Sequence, residues 1–275
     1  MMNQEPPIMI REVWEFNLES ELSLINSVVD DYPYISMDTE FPGVIYTPKV
    51  DRRFLRSSDH YSFLKANVDA LKLIQVGLTL SDVNGNLPRV GNHCCIWQFN
   101  FKDFDIEKDY YNPDSINMLQ RQGIDFNRNL SHGVDSAHFA KLMRTSKLVN
   151  NELVVWVTFH SAYDFGYLVK TLTQKPLPDS LKGFLHSLTE FFGKNVYDMK
   201  HMMKFCNSLY GGLERVATTL NVSRVAGKSH QAGSDSLLTW HAFRKMIDTY
   251  FINNNVRKHA GILFGLEINN YGLVN

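Results

Sequence analysis

A continuous apolar segment at residues 153–159 is the feature that most restricts how this chain can fold. Its sequence, LVVWVTF, is rich in β-branched and aromatic residues and shows no regular alternation of apolar and polar side chains. A strand of this kind is buried on both faces, so other structural elements must cover both sides of its sheet. The segment therefore predicts a central strand in a layered α/β protein.

Three earlier segments predict an antiparallel meander in the same sheet. Residues 34–40, 73–80 and 93–101 have strand-like composition, and an Asn-Gly pair at 84–85 marks a tight turn between the last two. Residues 46–58 are predicted to be a long loop. Helices are predicted at 15–29, 60–71, 115–122, 135–144, from 164 onward, and in a helix-rich second half at 180–192, 199–208, 213–221 and 234–251.

Composition limits the class of protein. Hydrophobic residues make up 44% of 275 residues, enough for a sizeable core, and the absence of a linker predicts one domain over 1–275. A net charge of −1 argues against a duplex-coating protein but allows a groove for a few nucleotides. Three cysteines without a C-x-x-C pair favour a reducing compartment. No apolar run reaches the roughly 18 residues of a membrane span, so no membrane association is expected.

The sequence Asp38-Thr39-Glu40 ends the predicted strand 34–40. Side chains two residues apart on a strand share a face, so Asp38 and Glu40 should point the same way. Paired carboxylates repel each other unless a cation lies between them, and such oxygen ligands suit magnesium or manganese. An isolated D-x-E sequence is usually a pair of solvated acids, but the apolar residues before Asp38 favour a central strand.

Two later motifs are compatible with the same site, although each has an ordinary structural explanation. Asp164 follows the apolar strand where a helix begins, which suits a ligand at a strand end or simply an N-cap. His230 and Asp235 open a long helix, and they could equally be a helix start beside a surface histidine. Together with Asp38 and Glu40, the two aspartates could hold two divalent ions roughly 3.5–4 Å apart. His230 could then accept a proton from water.

Longer stretches of sequence carry a family resemblance over about residues 10–265. They are IREVW at 10–14, MDTEFPG at 37–43, NVD at 67–69, WQFNF at 97–101, FHS at 159–161, YDFGYL at 163–168 and HQAGSDSLLT at 230–239. The order D-x-E, D, H-x4-D resembles the histidine subtype of the DEDD exonuclease superfamily. The longer stretches resemble the Caf/Pop-type deadenylases, the catalytic subunits of the carbon-catabolite-repressor–NOT complex.

The resemblance implies an RNase D/RNase H-like fold and a 3′-to-5′ exoribonuclease that shortens poly(A) tails and releases AMP. It implies that Asp38, Glu40 and Asp235 hold the ion that activates water. Asp38 and Asp164 would hold the ion at the leaving group, and His230 would be the general base. The implied cofactors are two Mg²⁺ or Mn²⁺ ions. The implied partners are poly(A) RNA, the NOT scaffold and a second deadenylase, and the expected locations are the cytoplasm and the nucleus.

The loop at 46–58 departs from the animal and fungal pattern of the family. It is longer and more basic, which resembles plant members, and its cations could contact the RNA backbone or remain solvated. These cations are Lys49, Arg52, Arg53 and Arg56.

Two further residues are candidates for substrate binding. Phe41 could stack on the terminal adenine or belong to the core. Lys200 could reach a phosphate or form a surface salt bridge.

Two other functions stay open from the sequence. A general single-strand 3′-to-5′ exonuclease would degrade poly(A) and poly(C) equally well. A scaffold-bound adaptor with minor catalysis would keep its biological effect after Asp38→Ala.

Overall fold

The computed structural model describes residues 6–51, 54–252 and 255–268. Its centre is a seven-stranded mixed sheet with helices packed on both faces. The strands are β1 (Ile8–Val13), β2 (Tyr34–Glu40), β3 (Gln75–Ser81), β4 (Arg89–Val90), β5 (His93–Asn100), β6 (Val155–Thr158) and β7 (Val196–Asp198). The predicted α/β fold, a mixed central sheet flanked by helices, is confirmed.

The strand order places β2 in the middle of the sheet. The order is β1-β5-β3-β2-β6-β7, and β4 pairs with β5 outside this path. β2, β3 and β5 pair antiparallel, which confirms the predicted meander. β2 also pairs in parallel with β6, and β6 with β7. The acidic end of β2 is therefore part of a central strand, as the apolar residues before it predicted.

Some strands differ from the sequence prediction. The strand predicted at 153–159 covers only β6, and Leu153 is 79% exposed because the chain is still turning there. β1 was missed because Arg11 and Glu12 interrupt its apolar pattern, yet it pairs in parallel with β5 at the edge of the sheet. β7 was missed because three residues are too few to show a periodicity.

The α-helices are α1 (Leu18–Val28), α2 (Ser57–Ala70), α3 (Pro113–Arg121), α4 (Phe126–His132), α5 (Ser136–Arg144), α6 (Ala162–Thr173), α7 (Leu181–Phe192), α8 (Met199–Met202), α9 (Leu213–Thr219) and α10 (Ala232–Tyr250). Most predicted helices are confirmed, and α4 was not predicted. The helix predicted at 199–208 is wrong, because α8 ends after one turn and a 3-10 turn, Met203–Phe205, follows. Within the described ranges no helix is long and apolar enough to cross a membrane.

The two faces of the sheet are covered by different helices. α1, α2, α5, α6 and α7 pack on one face, and α8, α9 and α10 pack on the other. Ile35 and Met37 of β2 belong to the first core. Because side chains alternate along a strand, Asp38 and Glu40 belong to the face that α10 covers. The first turn of α10 thereby comes over the acidic end of β2.

Candidate active site

The paired acids of β2 lie on one face of a central strand. Asp38 pairs across the strands with Gly77, and Glu40 pairs with Gln75. Glu40 is buried, with 8% of its surface exposed. The sequence therefore placed these two side chains correctly, and the interpretation as solvated acids on an edge strand is wrong.

Gly77 allows α10 to lie directly against the sheet. A Cβ atom at this position would stand 1.9 Å from the carbonyl oxygen of Ala232 and 2.4 Å from the nitrogen of Gly233. No side chain fits in that space, so only glycine permits this approach. The contact brings Asp235, in the first turn of α10, to the acidic end of β2.

Amide side chains of the sheet hold the start of α10. The Oε1 atom of Gln75 accepts a hydrogen bond from the backbone N–H of Ala232 at 3.3 Å, and that of Gln98 accepts from Gly233 at 2.9 Å. The first N–H groups of a helix have no partner within the helix, and here the strands supply the acceptors. Glu12 accepts from the side-chain amides of Gln98 and Asn100 at 3.1 Å and 2.7 Å, which fixes their orientation.

Three of the predicted side chains meet closely enough to share a cation. One ligand atom from each of Glu40, His230 and Asp235 lies within 4.8 Å of the other two. The backbone N–H of His230, at a φ of 59°, donates to Oδ2 of Asp235 at 2.9 Å. The H-x4-D spacing thus closes a hydrogen-bonded turn that presents both side chains together. Two carboxylates and an imidazole form a donor set that a divalent cation can use.

Asp164 reaches the same strand end from the opposite layer of helices. Its Oδ1 atom accepts from the backbone N–H of Thr39 at 2.9 Å and from the Thr39 hydroxyl at 2.6 Å. The N-cap of α6 is Ser161, so the interpretation of Asp164 as an N-cap is wrong. The structure therefore brings Asp164 against the Asp38–Glu40 segment.

Burial raises the pKa of all four carboxyl groups, and repulsion from other carboxylates of the cluster adds to this for Asp38 and Glu40. For Asp38 and Glu40 the pKa lies well above its usual range, first because they are buried and then because Asp235 and Asp164 are close. Burial raises the pKa of Asp164 to about 7 against the hydrogen bonds from Thr39. Burial also raises the pKa of Asp235, against the charge of Arg224. A cluster with this excess of negative charge is suited to divalent cations.

Arg224 is a site residue that the sequence analysis missed. Its guanidinium lies 2.5 Å from Oδ1 of Asp235 and donates to the Ser234 hydroxyl at 2.6 Å and to Glu214 at 3.1 Å. A single arginine in the loop between α9 and α10 carries no motif that could have identified it. It holds Asp235 in place and offsets one negative charge of the cluster.

Asp198 is a second missed residue, and it shapes the loop before Asp164. This fully buried carboxylate accepts from the backbone N–H groups of His160 at 2.8 Å, Lys200 at 2.9 Å and Phe264 at 2.9 Å. Asp198 therefore caps its own helix, α8, and joins it to two distant segments of the chain. The loop that leads into α6 is fixed by this contact.

The two predicted substrate contacts lie beside the carboxylates rather than among them. Phe41 is half-buried and stacks on Tyr163, with ring centroids 5.4 Å apart, and contacts Tyr167 at 4.9 Å. The ammonium of Lys200 contacts the carbonyl of Gly211 and lies 5.6 Å from the ring centroid of Phe159. Across the described ranges Lys200 forms no salt bridge, so that expectation is wrong. Their binding to substrate stays a prediction.

The basic loop is only partly described. Arg52 and Arg53 lie outside the described residues. Lys49 is exposed, and Arg56 pairs with Asp59 at 3.1 Å at the start of α2. A contact between this loop and RNA stays a prediction.

The raised pKa of Asp164 predicts a pH dependence of stability in a buffer with a chelator. Its pKa is about 7 in the folded protein, whereas an unperturbed carboxyl has 3.8. From pH 4 to 7 the unfolded chain loses this proton while the folded protein keeps it, so the free energy of unfolding should fall as pH rises. Below pH 4 and above pH 7 the Asp164 carboxyl group should not contribute to the pH dependence of the free energy of unfolding. Calorimetric melting of wild type and Asp164→Asn tests this, and equal pH slopes for both proteins contradict it.

The sheet, the covering helices and the carboxylate cluster define an RNase H-like α/β nuclease. The sequence matches the family described as CAF1 family ribonuclease at residues 13–152 and 136–243. It is 52% identical over 274 residues to the Arabidopsis thaliana protein named probable CCR4-associated factor 1 homolog 7, covering 99% of this chain and 98% of the relative. The chain belongs to the CAF1 ribonuclease family. The similarity to an Arabidopsis protein is consistent with the expected plant member.

Fungal relatives support the same assignment. The chain is 46% identical over 259 residues to poly(A) ribonuclease pop2 of Schizosaccharomyces pombe, covering 94% of this chain and 75% of the relative. The structure of S. pombe Pop2p with bound Mg²⁺ and Mn²⁺ superposes with a TM-score of 0.86 at 44% identity, covering 94% and 99% of the two chains. Yeast CAF1 co-crystallised with the NOT1 MIF4G domain superposes at 0.74, with 31% identity and coverage of 93% and 96%.

Proposed function

We propose that this protein is a 3′-to-5′ exoribonuclease that shortens poly(A) tails and releases AMP by hydrolysis of the terminal phosphodiester. The observation that carries the proposal is the convergence of Asp38, Glu40, Asp164 and Asp235 with His230 at one strand end. The name of the S. pombe relative, poly(A) ribonuclease, supports the choice of substrate.

The raised pKa values and the shared donor set fit two divalent cations, Mg²⁺ or Mn²⁺. Glu40, Asp235 and Asp38 would hold one ion, and Asp38 with Asp164 would hold the other. When bound, such ions supply an activated water and neutralise charge on the leaving oxygen. His230 lies within reach of the same position and accepts the proton of the attacking water. Arg224 holds Asp235, and Thr39 holds Asp164.

A cleft of about 410 Å³ beside Asp164 fits the terminal nucleoside. Its lining includes the rings of His160, Tyr163, Tyr46, Phe63 and Phe264. Aromatic walls stack on bases, at about 1–3 kcal/mol per base. Phe41 does not line the cleft and contributes by stacking on the ring of Tyr163.

Binding of Mg²⁺ or Mn²⁺ should raise the melting temperature, and the increase should be larger at pH 8 than at pH 5. The reason is that ions bind only the folded cluster and that the ionised carboxylates repel each other most at high pH. Thermal denaturation with and without each ion at both pH values measures the effect. A melting temperature that is the same with saturating metal and with chelator contradicts the clustered-carboxylate site.

The direct test of function is a time course on 5′-labelled RNA that ends in about twenty adenines, with magnesium or manganese. We expect a ladder that shortens by one nucleotide at a time, slows at the non-adenine body and releases AMP. Equal rates on poly(A) and poly(C) tails would instead support the general exonuclease. An inactive wild type across both metals would support the adaptor or an enzyme that needs its scaffold.

The protein partners and the cellular location of this enzyme are also part of the proposal. A NOT scaffold is the proposed partner, because yeast CAF1 was co-crystallised with the NOT1 MIF4G domain. A second deadenylase is proposed from the family resemblance alone, as are the cytoplasm and the nucleus. Copurification with a NOT1 MIF4G domain tests the scaffold partner, and fractionation of cells tests the location. Failure of that domain to bind the purified protein would contradict the scaffold partner.

A further inference from the structure

We propose a second base-binding subsite, which rests on the proposed function, in a cleft on the other side of the carboxylate cluster. This cleft, here called the upstream cleft, has a volume of about 140 Å³ and is lined in part by Glu12, Trp14, Arg128 and Gln231. It takes the base of the nucleotide on the 5′ side of the scissile phosphodiester. It favours adenine and cytosine, which carry an amino group on the edge where uracil carries the O4 carbonyl, over uracil.

The position of the upstream cleft suits that nucleotide. One of its walls is Gln75, which pairs across the strands with Glu40, and another is Gln231, which directly follows His230. The cleft proposed for the terminal nucleoside lies beside Asp164 and shares no lining residue with this one. A phosphodiester held at the carboxylates therefore has one cleft on each side. The leaving nucleoside occupies the first, and the upstream base enters the second.

Glu12 gives the upstream cleft its chemical preference. Its carboxylate is exposed and is held in place by the amides of Asn100 at 2.7 Å and Gln98 at 3.1 Å. An ionised carboxylate only accepts hydrogen bonds, and it has more acceptor positions than these two donors occupy. It attracts the amino group of adenine or cytosine and repels the carbonyl oxygen at the same edge of uracil.

Arg128 gives the upstream cleft a stacking surface and a positive charge. Its guanidinium lies 4.3 Å above the ring centroid of Trp14, which is itself buried. Arg128 itself is exposed, so a base that enters the cleft can stack on its guanidinium. In the part of the chain that the structure describes, no carboxylate forms a salt bridge with Arg128. Its positive charge attracts the RNA strand and offsets the carboxylates of Glu12 and Asp125, which also line the cleft.

The test uses short adenine-rich RNAs whose terminal nucleotide is always A and whose penultimate nucleotide is A, C or U. The rate of release of the first AMP is measured in single turnovers. We expect wild type to cleave the A and C substrates about 10-fold faster than the U substrate. This is the effect typical of losing one hydrogen bond to a charged group, here the bond between the base and Glu12. Glu12→Gln should remove this preference, and Arg128→Ala should slow all three substrates through weaker binding. The matched controls are Glu19→Gln and Arg121→Ala, exposed residues outside the cleft.

The results of this test distinguish failure of the subsite from failure of the proposed function. If wild type releases AMP at equal rates from the three RNAs, the subsite is wrong and the proposed function stands. If Glu12→Gln slows the A, C and U substrates by the same factor, Glu12 only holds the amides under α10, and the subsite is also wrong. If wild type releases no AMP from any RNA, the proposed function itself fails. Equal melting temperatures for wild type and variants establish that the comparison is between folded proteins.

Discussion

An alanine at position 77 should lower activity by about 10²-fold or more while it changes no residue that contacts the substrate. Its Cβ would stand 1.9 Å from the carbonyl oxygen of Ala232, so the first turn of α10 must move away from β3. Asp235 and His230 would move with it, away from Asp38 and Glu40. A displacement of about 1 Å in a catalytic group is enough for a loss of this size.

The same substitution should also cost stability. Extra atoms in a tightly packed contact typically cost about 1–3 kcal/mol. The matched control is Gly212→Ala at the start of α9, where an added Cβ would have no atom within 4 Å. Initial rates and thermal melting of both variants measure the two effects. Full activity in Gly77→Ala would show that the register of α10 on β3 is unimportant for the site.

Asp38→Asn should greatly reduce activity without reducing the stability of the metal-free protein. Asp38 is the proposed ligand of both cations, so its replacement should reduce the rate by at least about 10³-fold, beyond the 10–100-fold typical of residues that only orient a ligand. In the metal-free protein the melting temperature at pH 8 should rise or stay equal. The raised pKa of Asp38 means that its ionised form is unfavourable in the folded state, and asparagine removes that charge.

Thermal melting with chelator and with metal, alongside the RNA time course, measures both effects. The control is Asp248→Asn, an exposed acid on α10 that lies away from the cluster. It should leave activity and melting unchanged. A large drop in the melting temperature of metal-free Asp38→Asn at pH 8 would contradict the repulsive cluster. Retained deadenylation would contradict the catalytic role.

The parts of the site that were predictable are those with a local pattern. Asp38 and Glu40 were assigned to one face because a strand has a period of two residues, and the apolar run before them indicated a central strand. His230 and Asp235 were paired by a spacing that the structure closes with a hydrogen bond. Family resemblance, rather than any periodicity, connected these segments with Asp164.

The parts that were missed depend on contacts between distant segments. Arg224 and Asp198 act through sets of hydrogen bonds and ion pairs that no short motif encodes. Gly77 matters because α10, which begins 155 residues later in the sequence, lies directly against its strand. Residue propensities give no information about such a contact. β1 and β7 were missed because an edge strand with charged residues and a three-residue strand both lack a clear alternation.

The distribution of the site along the chain has a consequence for its biosynthesis. Thr39 and Asp164, which contact each other, are 125 residues apart, and Asp235 lies on α10, the last long helix among the described residues. A chain emerging from the ribosome can pair β2 with β3 early, but it has no complete cluster until α10 has emerged and packed against Gly77. Domains generally fold as units during synthesis. The growing polypeptide therefore cannot degrade RNA near the ribosome until nearly all of its described residues have been synthesised.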